Sequence, residues 1–411
     1  LIETNWNGFI IAPRNNGIVR WFRDGEQIDG DYMFPSHQLH RSGHMHRGLV
    51  TWGCRDAATC DGLTHIQLAK QVARFLQLRY DGRLEDRSTG DGLFVLPFLT
   101  VCADELSGYS CLMGEGDFLG GWVPHPLQAT KAIAHPLAAG ELPPSGWSAG
   151  FTSSVKDLTL SGVTAFTAAG AIEAGLGLLQ RGDVRLKPIN AAGGNDQHVV
   201  RSERELTEVV EALSDSAGLH GGLVLEENLH DAETYGIGRI SLGGMSASYL
   251  GIQDLTRNNK GDVVYGGTRM LVARGDFRQL LPLLSGKTEE IAVRLAMDFD
   301  RLADRHLGLV ASRRNYDVIA GTTAAGEMKC AVLEQSWRMG GATGAEIAAL
   351  QAFAERPELR HVGAATVEQY GHDWMPPEGS TVYFHGVDPK LGPHLKYAFL
   401  DEGARMPPKH A

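Results

Sequence analysis

The run Val332-Leu333-Glu334-Gln335-Ser336-Trp337-Arg338 places a carboxylate, a hydroxyl and a guanidinium at alternate positions, and Gly340-Gly341 follows. On a strand, side chains alternate between faces, so Glu334, Ser336 and Arg338 would project together. Carboxylate and hydroxyl oxygens suit a hard cation such as Mg2+, and a guanidinium suits phosphate oxygens. Asp317, in Tyr316-Asp317-Val318-Ile319, ends a preceding strand-like segment and would complete a metal set of Asp317, Glu334 and Ser336. An edge strand with scattered surface charge shows the same short alternation, so the choice between the two rests on other motifs.

Upstream, Val184-Arg185-Leu186-Lys187-Pro188 reads as a strand carrying a lysine near its end. The loop Asn190-Ala191-Ala192-Gly193-Gly194-Asn195-Asp196 follows. Glycines let backbone N–H groups approach an anion, and the lysine supplies a point charge for phosphate. The lysine precedes the glycines and no Gly-Lys-Ser/Thr follows, so this is not a P-loop. Leu223-Val224-Leu225-Glu226-Glu227-Asn228-Leu229 reads as a strand running into a hinge. Its backbone groups would hydrogen-bond an adenine edge while Leu225 and Leu229 cover the ring faces. Glu233, seven residues after Glu226, would accept hydrogen bonds from ribose hydroxyls. Read alone, each segment is also compatible with an ordinary turn or a solvated strand end. Only ten lysines accompany 28 arginines, so a lysine beside a glycine-rich loop is less readily a matter of chance.

The elements that must position these groups follow from periodicity. Residues 1–47 read as an N-terminal extension in which Gly17 to Phe22 and Gln27 to Phe34 form a β-hairpin about Asp24-Gly25. Its histidines, His37, His40, His44 and His46, have no cysteine or carboxylate at metal-ligand spacing and are expected to be solvated and non-catalytic. Residues 48–130 read as a βαβ unit: a strand at Leu49 to Trp52, a helix with Leu63, Ile66, Val72, Phe75 and Leu76 on its apolar face, and a strand at Leu93 to Leu96. Gly120 to Pro126 reads as a linker to Thr130-Lys131, which opens a short helical stretch. Residues 131–234 add a helix near Ala168 to Leu179, the Lys187 strand, a helix announced by the capping-box spacing Ser202-Glu203-Arg204-Glu205, and the hinge strand from Gly222. Residues 235–411 open with alternating segments around Arg239 to Ile252 and Val263 to Ala273. A helix near Thr288 to Ala303, with Ile291, Val293, Leu295, Ala296 and Phe299 apolar, precedes the Asp317 and Glu334 strands and a helix near Gly344 to Phe353. The expected class is α/β, with α+β subdomains.

Composition narrows the function classes. A net charge of -11 disfavours nucleic acid as a partner, because a phosphate backbone wants a basic face. No apolar run approaches the ~20 residues of a membrane span. The first residues, Leu1 to Asn7, show no basic n-region or apolar h-region. The five cysteines, Cys54, Cys60, Cys102, Cys111 and Cys330, match no zinc or redox spacing, and a reduced cytoplasm is the expected compartment.

In this order the pieces resemble the ATP-grasp superfamily, over about residues 48 to 400. Within it the chain is similar to a bacterial branch carrying a domain of unknown function. The blocks that carry this likeness are Val123-Pro124-His125-Pro126, Ala129-Thr130-Lys131-Ala132-Ile133, Arg313-Arg314-Asn315-Tyr316-Asp317 and Leu333-Glu334-Gln335-Ser336-Trp337-Arg338. The resemblance implies an N-terminal βαβ pre-grasp domain followed by two α+β subdomains that clasp ATP. It assigns Lys131 and Lys187, with the Gly193-Gly194 loop, to the ATP phosphates. Glu226, Glu227, Asn228 and Leu229 match the adenine hinge, and Glu233 the ribose carboxylate. Asp317 and Glu334 match the Mg2+ carboxylates, and Arg338 the arginine near the transferred phosphate or acyl phosphate. Two positions depart from the pattern. Ser336 stands where the superfamily usually has Asn, and Asp196 puts a carboxylate in the phosphate loop.

The expected activity is that of an ATP-dependent ligase, with ATP and Mg2+ as cofactors and Lys187 and Arg338 as catalytic residues. A carboxylic acid would be activated as an acyl phosphate and captured by an amine or thiol, with neither nucleic acid nor membrane as partner. Arg257, Arg269, Arg313 and Arg314 form a pool for contacts to an anionic substrate. A small-molecule kinase using the same site, and a non-catalytic ATP-binding sensor or scaffold, are the rival readings. A homodimer is the base-rate expectation for assembly.

Overall fold

The structure, a computed structural model, describes residues 9–11, 21–23, 26–28, 46–54, 56, 58–106, 114–191, 196–215, 219 and 221–401. Leu1–His44 and Met45–Ala411 form separate units. In the first, β1 (Phe9–Ile11), β2 (Trp21–Arg23) and β3 (Glu26–Ile28) make an antiparallel sheet. The pairing of Trp21 with Ile28 and Arg23 with Glu26 is the hairpin expected about Asp24-Gly25. His37, His40 and His44 lie outside the described residues, and His46 sits 3.2 Å from the Asp117 carboxylate.

The second unit opens with β4 (Gly48–Trp52), α1 (Cys60–Phe75), β5 (Tyr80–Arg83) and β6 (Leu93–Pro97). β4 lies between β5 and β6, parallel to both. The Thr59 side chain caps α1 by accepting from the Gly62 N–H, and Leu68, Ala69, Val72 and Ala73 are buried along one face. Two short strands follow, β7 (Val101–Cys102) and β8 (Gly121–Val123). A 3₁₀ turn at Lys131–Ala134 stands where the short helical stretch is expected.

After α2 (Ala149–Val155) the chain builds a smaller lobe from β9 (Gly162–Ala165), α3 (Ala168–Leu179), β10 (Val184–Pro188), β11 (His198–Val200), α4 (Glu203–Asp215) and β12 (Leu223–Glu227). Its antiparallel sheet has the order β11-β10-β12-β9. Val184 and Leu186 of β10 and Leu223 and Leu225 of β12 pack with Ala171, Leu206 and Val210. That packing turns Lys187 and Glu226, on the alternate positions, to the opposite face. The start of α4 is close to the expected capping box. Ser202 Oγ accepts from the Glu205 N–H at 3.3 Å, and the Glu205 carboxylate accepts from the Arg201 N–H at 2.8 Å.

β12 continues through Asn228-Leu229 into β13 (His230–Leu242). There follow β14 (Met245–Arg257), β15 (Val263–Arg274), α5 (Lys287–His306), β16 (Val310–Ala311), β17 (Arg313–Thr322) and β18 (Met328–Ser336). α6 (Thr343–Glu355), β19 (His361–Tyr370), β20 (Thr381–Asp388) and β21 (Gly392–Asp401) complete the described chain. Eight of these strands form one antiparallel sheet, β18-β17-β13-β14-β15-β19-β21-β20, while β16 pairs with β8. Alternation divides the large sheet between two cores. Tyr235, Ile237, Leu250, Tyr316, Val318 and Trp337 pack with Phe151 of α2 and Phe299 of α5. Tyr249, Met270 and Val272 pack with Ile347, Leu350 and Phe353 of α6 and Leu68 and Val72 of α1. Ile291, expected on the apolar face of α5, is 39 % exposed at the helix start.

The arginines expected to meet an anionic substrate are engaged by the protein itself. Arg313 is buried and holds Glu346 of α6 bidentately at 2.8 and 2.8 Å. Arg314 is buried against Asp300 at 3.0 Å, Asp304 at 2.5 Å and Glu115 at 3.2 Å. Arg269 pairs with Asp254 at 2.7 Å, and Arg257 donates to the Gly261 carbonyl at 2.8 Å. Removing one partner of a buried pair strands the other charge in low dielectric. Glu346→Ala is therefore expected to destabilise the fold by about 3–5 kcal/mol. Urea unfolding measures this, and a loss below about 1 kcal/mol, the range of exposed pairs, would contradict the pairing.

Candidate functional site

Asp317 and Glu334 oppose each other directly across the β17–β18 ladder. The register shifts at this point: Asp317 pairs with Glu334, but Val318 pairs with Val332, so Leu333 is passed over. One extra residue reverses the alternation of faces. Val332 packs into the α5 core, whereas Glu334, Ser336 and Arg338 turn to the other side, with Gln335 and Trp337 buried between them. The expected alternation of the three groups holds, and the bulge aims it. On β13, Gly236 lies opposite Asp317 and Gly238 opposite Asn315, so β13 itself contributes no side chain beside the carboxylates.

The two lysines of this cleft are each matched by a carboxylate. Lys131 Nζ is 3.1 Å from the Glu334 carboxylate and donates to the Ala191 carbonyl at 2.8 Å. Lys187 forms an ion pair with Glu226, and His135 Nε2 lies 3.2 Å from the same carboxylate. Burial alone would raise the Glu226 pKa, but Lys187 and His135 outweigh it and hold the group down to about 2. Asp317 is pushed up to about 6, by burial first and then by the Glu334 charge, against the Asn315 amide, Lys187 and Arg338. The Arg338 guanidinium donates to the Met339 carbonyl at 2.7 Å. Burial and the neighbouring Arg313 lower its pKa, while Glu334, Asp317 and Asp61 oppose that shift.

Lys131, Lys187, Glu226, Asp317, Glu334 and Arg338 thus gather at one cleft between the small sheet and the β17–β18 ladder. Gly193 and Gly194 lie outside the described residues, and Asp196 beyond them adopts a left-handed conformation at φ 56°. The hinge is more constrained than expected. The Glu227 carboxylate takes Lys329 and the Ser161 N–H, and Asn228 Oδ1 accepts from Arg185 at 2.7 Å. The backbone N–H groups of Glu227 and Asn228 donate to Ser161 and Asp183, each at 2.9 Å. At the same hinge the Glu226 carboxylate is held by Lys187 and His135, and Leu229 is buried. Glu233 accepts a hydrogen bond from Tyr235. Ser336 lies in register with Asn315.

Sequence reasoning missed His135, Arg185 and Asn315. His135 is the extended residue that ends the Lys131–Ala134 turn, and its place beside Glu226 comes from the fold. Among the described residues no three His, Cys, Asp or Glu side chains converge as metal ligands. The acidic ligands would be Asp317 and Glu334, with the Ser336 hydroxyl on the same face. Two carboxylates opposed at one ladder position, one of them disfavoured as an anion, form a donor set that a divalent cation relieves. The residues therefore fit Mg2+.

Glu226 has a folded pKa below its unfolded value, so the stability it contributes is present in full above pH 4.5 and is lost as pH falls toward 2. Glu226→Gln is expected to lower stability near neutral pH by about 3–5 kcal/mol, because Lys187 is left buried and unpaired. In urea unfolding the gap between variant and parent should narrow as pH drops below 4.5. A gap independent of pH would place the effect in packing, not charge.

No curated protein matches the chain. Solved structures overlap it at low identity. Biotin carboxylase from Campylobacter jejuni is 13% identical, covering 88% of this chain and 89% of that one at a TM-score of 0.44. Phosphoribosylamine–glycine ligase from Thermotoga maritima is 12% identical, covering 86% and 92% at 0.45. D-alanyl-alanine synthetase A from Vibrio cholerae is 11% identical, covering 77% and 95% at 0.41. Overlap at these scores carries no argument about reaction or substrate. The model of one family, described as "Protein of unknown function (DUF3182)", matches residues 53–398, and the chain belongs to that family.

Proposed function

We propose that the chain is an ATP-grasp ligase that uses ATP and Mg2+ to activate a carboxylic acid for attack by an amine or thiol. One observation carries the reading: two buried lysines, two opposed carboxylates and an arginine share one cleft, with a hinge strand at its other end. In this reading residues 48–130 form the pre-grasp domain, and residues 131–234 and 235–411 form the two lobes that enclose the nucleotide.

Mg2+ held by Asp317, Glu334 and Ser336 would neutralise charge on the phosphate oxygens. Lys187 and Lys131 exchange their carboxylate partners for phosphate. The Leu229 N–H and the Glu226 carboxylate meet the adenine edge, and half-buried Ile319 and Leu333 flank the ring. Glu233 turns from Tyr235 to the ribose hydroxyls. A substrate carboxylate oxygen attacks the γ-phosphorus and ADP leaves. The amine or thiol then attacks the acyl carbon, loses its proton and expels phosphate. Arg338 stabilises the acyl phosphate, and no protein nucleophile is needed.

The direct test is ADP release with pooled carboxylic acids and pooled amines and thiols, followed by mass analysis of the product. An amide or thioester formed with free phosphate supports the ligase, whereas a stable phosphorylated product identifies a kinase. ATP bound without turnover across the panel identifies a sensor.

Point substitutions separate the roles. Lys187 faces charge that builds in the transition state, so Lys187→Ala should lower kcat on the order of 10²–10³-fold. Glu233 grips ribose before and during reaction, so Glu233→Ala should mainly raise KM for ATP. If Lys187→Ala turned over like the parent, the phosphate contact would pass to Lys131. If Glu233→Ala lowered kcat with KM unchanged, the residue would belong to the chemistry and not to the sugar.

A further inference from the structure

Four residues stand in one row across the large sheet: Tyr249 on β14, Gly238 on β13, Asn315 on β17 and Ser336 on β18. The next row on the same face holds Gly236, Asp317 and Glu334. Tyr249 reaches over Gly238 and donates its hydroxyl to Asn315 Oδ1 at 2.8 Å, and Asn315 Nδ2 donates to Asp317 Oδ1 at 3.0 Å. A Cβ at position 238 would collide with the Tyr249 ring and hydroxyl, so glycine is what lets the tyrosine span β13. Behind it, Arg313 Nη2 lies 3.5 Å from the Tyr249 hydroxyl and is clamped by Glu346.

We propose that Asn315 is a positioning residue for Asp317, and that Tyr249, laid across Gly238, fixes its amide. This rests on the reading of Asp317 and Glu334 as a divalent-cation pair. An ionised carboxylate only accepts, so Asn315 turns its N–H to Asp317 and its oxygen to Tyr249, whose hydroxyl donates. The N–H occupies one carboxylate oxygen, Oδ1, and leaves Oδ2 for a ligand. The amide that stands beside the acidic pair therefore comes from β17, in register with Ser336, and acts on the carboxylate instead of on the cation. Outer partners of this kind orient a ligand, and their loss typically weakens metal binding about 10–100-fold.

The test is Mn2+ binding followed by electron paramagnetic resonance, in the absence of nucleotide, on the full chain and on Tyr249→Phe, Asn315→Ala and the double variant. The metal-free ATP affinity and the melting temperature are measured alongside. Each single variant should weaken Mn2+ binding about tenfold with metal-free ATP affinity unchanged. Residues acting in series are non-additive, so the double variant should bind no more weakly than Asn315→Ala. Should Asn315→Ala fail to fold, Tyr249→Phe still reports, because it removes only a hydroxyl. Gly238→Ala, which displaces the tyrosine, should repeat its effect. Parent-like Mn2+ binding in the folded variants, or losses that simply add, would overturn the positioning role while leaving the cation pair standing. A parent that binds neither Mn2+ nor nucleotide would remove both readings.

Discussion

A charge buried between two sheets has to be matched, and in this cleft every lysine is matched by a carboxylate. Lys187 answers Glu226 at one carboxylate oxygen, with His135 at the other, and Lys131 answers Glu334. The cost of desolvating each ion is of the same order as the attraction that offsets it, so neither partner is tolerated alone. Among the described residues Asp317 has no such lysine within ion-pair range. It relies on the Asn315 amide and on longer-range help from Lys187 and Arg338, and its carboxyl stays raised at about 6. The cleft is thus self-neutralised at its lysines and under-neutralised at its acidic pair. A ligand bringing both an anion and a divalent cation would satisfy all of these groups at once, by exchange of partners and not by creation of new charge.

Packing explains why these groups meet. On β10 and β12 the apolar residues Val184, Leu186, Leu223 and Leu225 are committed to the α3–α4 core, which leaves Lys187 and Glu226 to the opposite face. Just past β18 the buried Trp337, which donates to the Tyr316 hydroxyl at 3.3 Å, anchors the alternation that turns out Ser336 and Arg338. The turn carrying Lys131 is tied to β18 by Gln335 Nε2, which donates to the Thr130 carbonyl at 2.8 Å. Each charged side chain is aimed by an apolar or amide neighbour one residue away.

Much of this was legible in the sequence, for reasons that also mark where it stopped. The Ala168–Leu179 helix, the Lys187 strand and the long α5 helix follow from apolar periodicity and from caps, which are local signals. The shared face of Glu334, Ser336 and Arg338 follows from strand alternation. The opposition of Asp317 to Glu334 depends on the bulge at Leu333, and no local pattern announces which residue a ladder skips. β5 was missed because Tyr80-Asp81-Gly82-Arg83 is half-buried throughout and has no apolar alternation to read. Arg313 and Arg314 looked available because their acidic partners, Glu346, Asp300 and Asp304, come from distant helices. The hinge side chains Glu227 and Asn228 were legible as polar but not as engaged, since Lys329 and Arg185 reach them only in the fold.

In the proposed reading this cleft takes a nucleotide together with a divalent cation. Isothermal titration of ATP into the full chain, with Mg2+ and again with EDTA, tests it most directly. Saturable one-to-one binding is expected with Mg2+ and clearly weaker binding without it, because Lys131 leaves Glu334 readily only when a cation takes its place. A silent titration at millimolar Mg-ATP, or equal affinity in EDTA, would contradict the assignment of the carboxylate pair and of the lysines that face it.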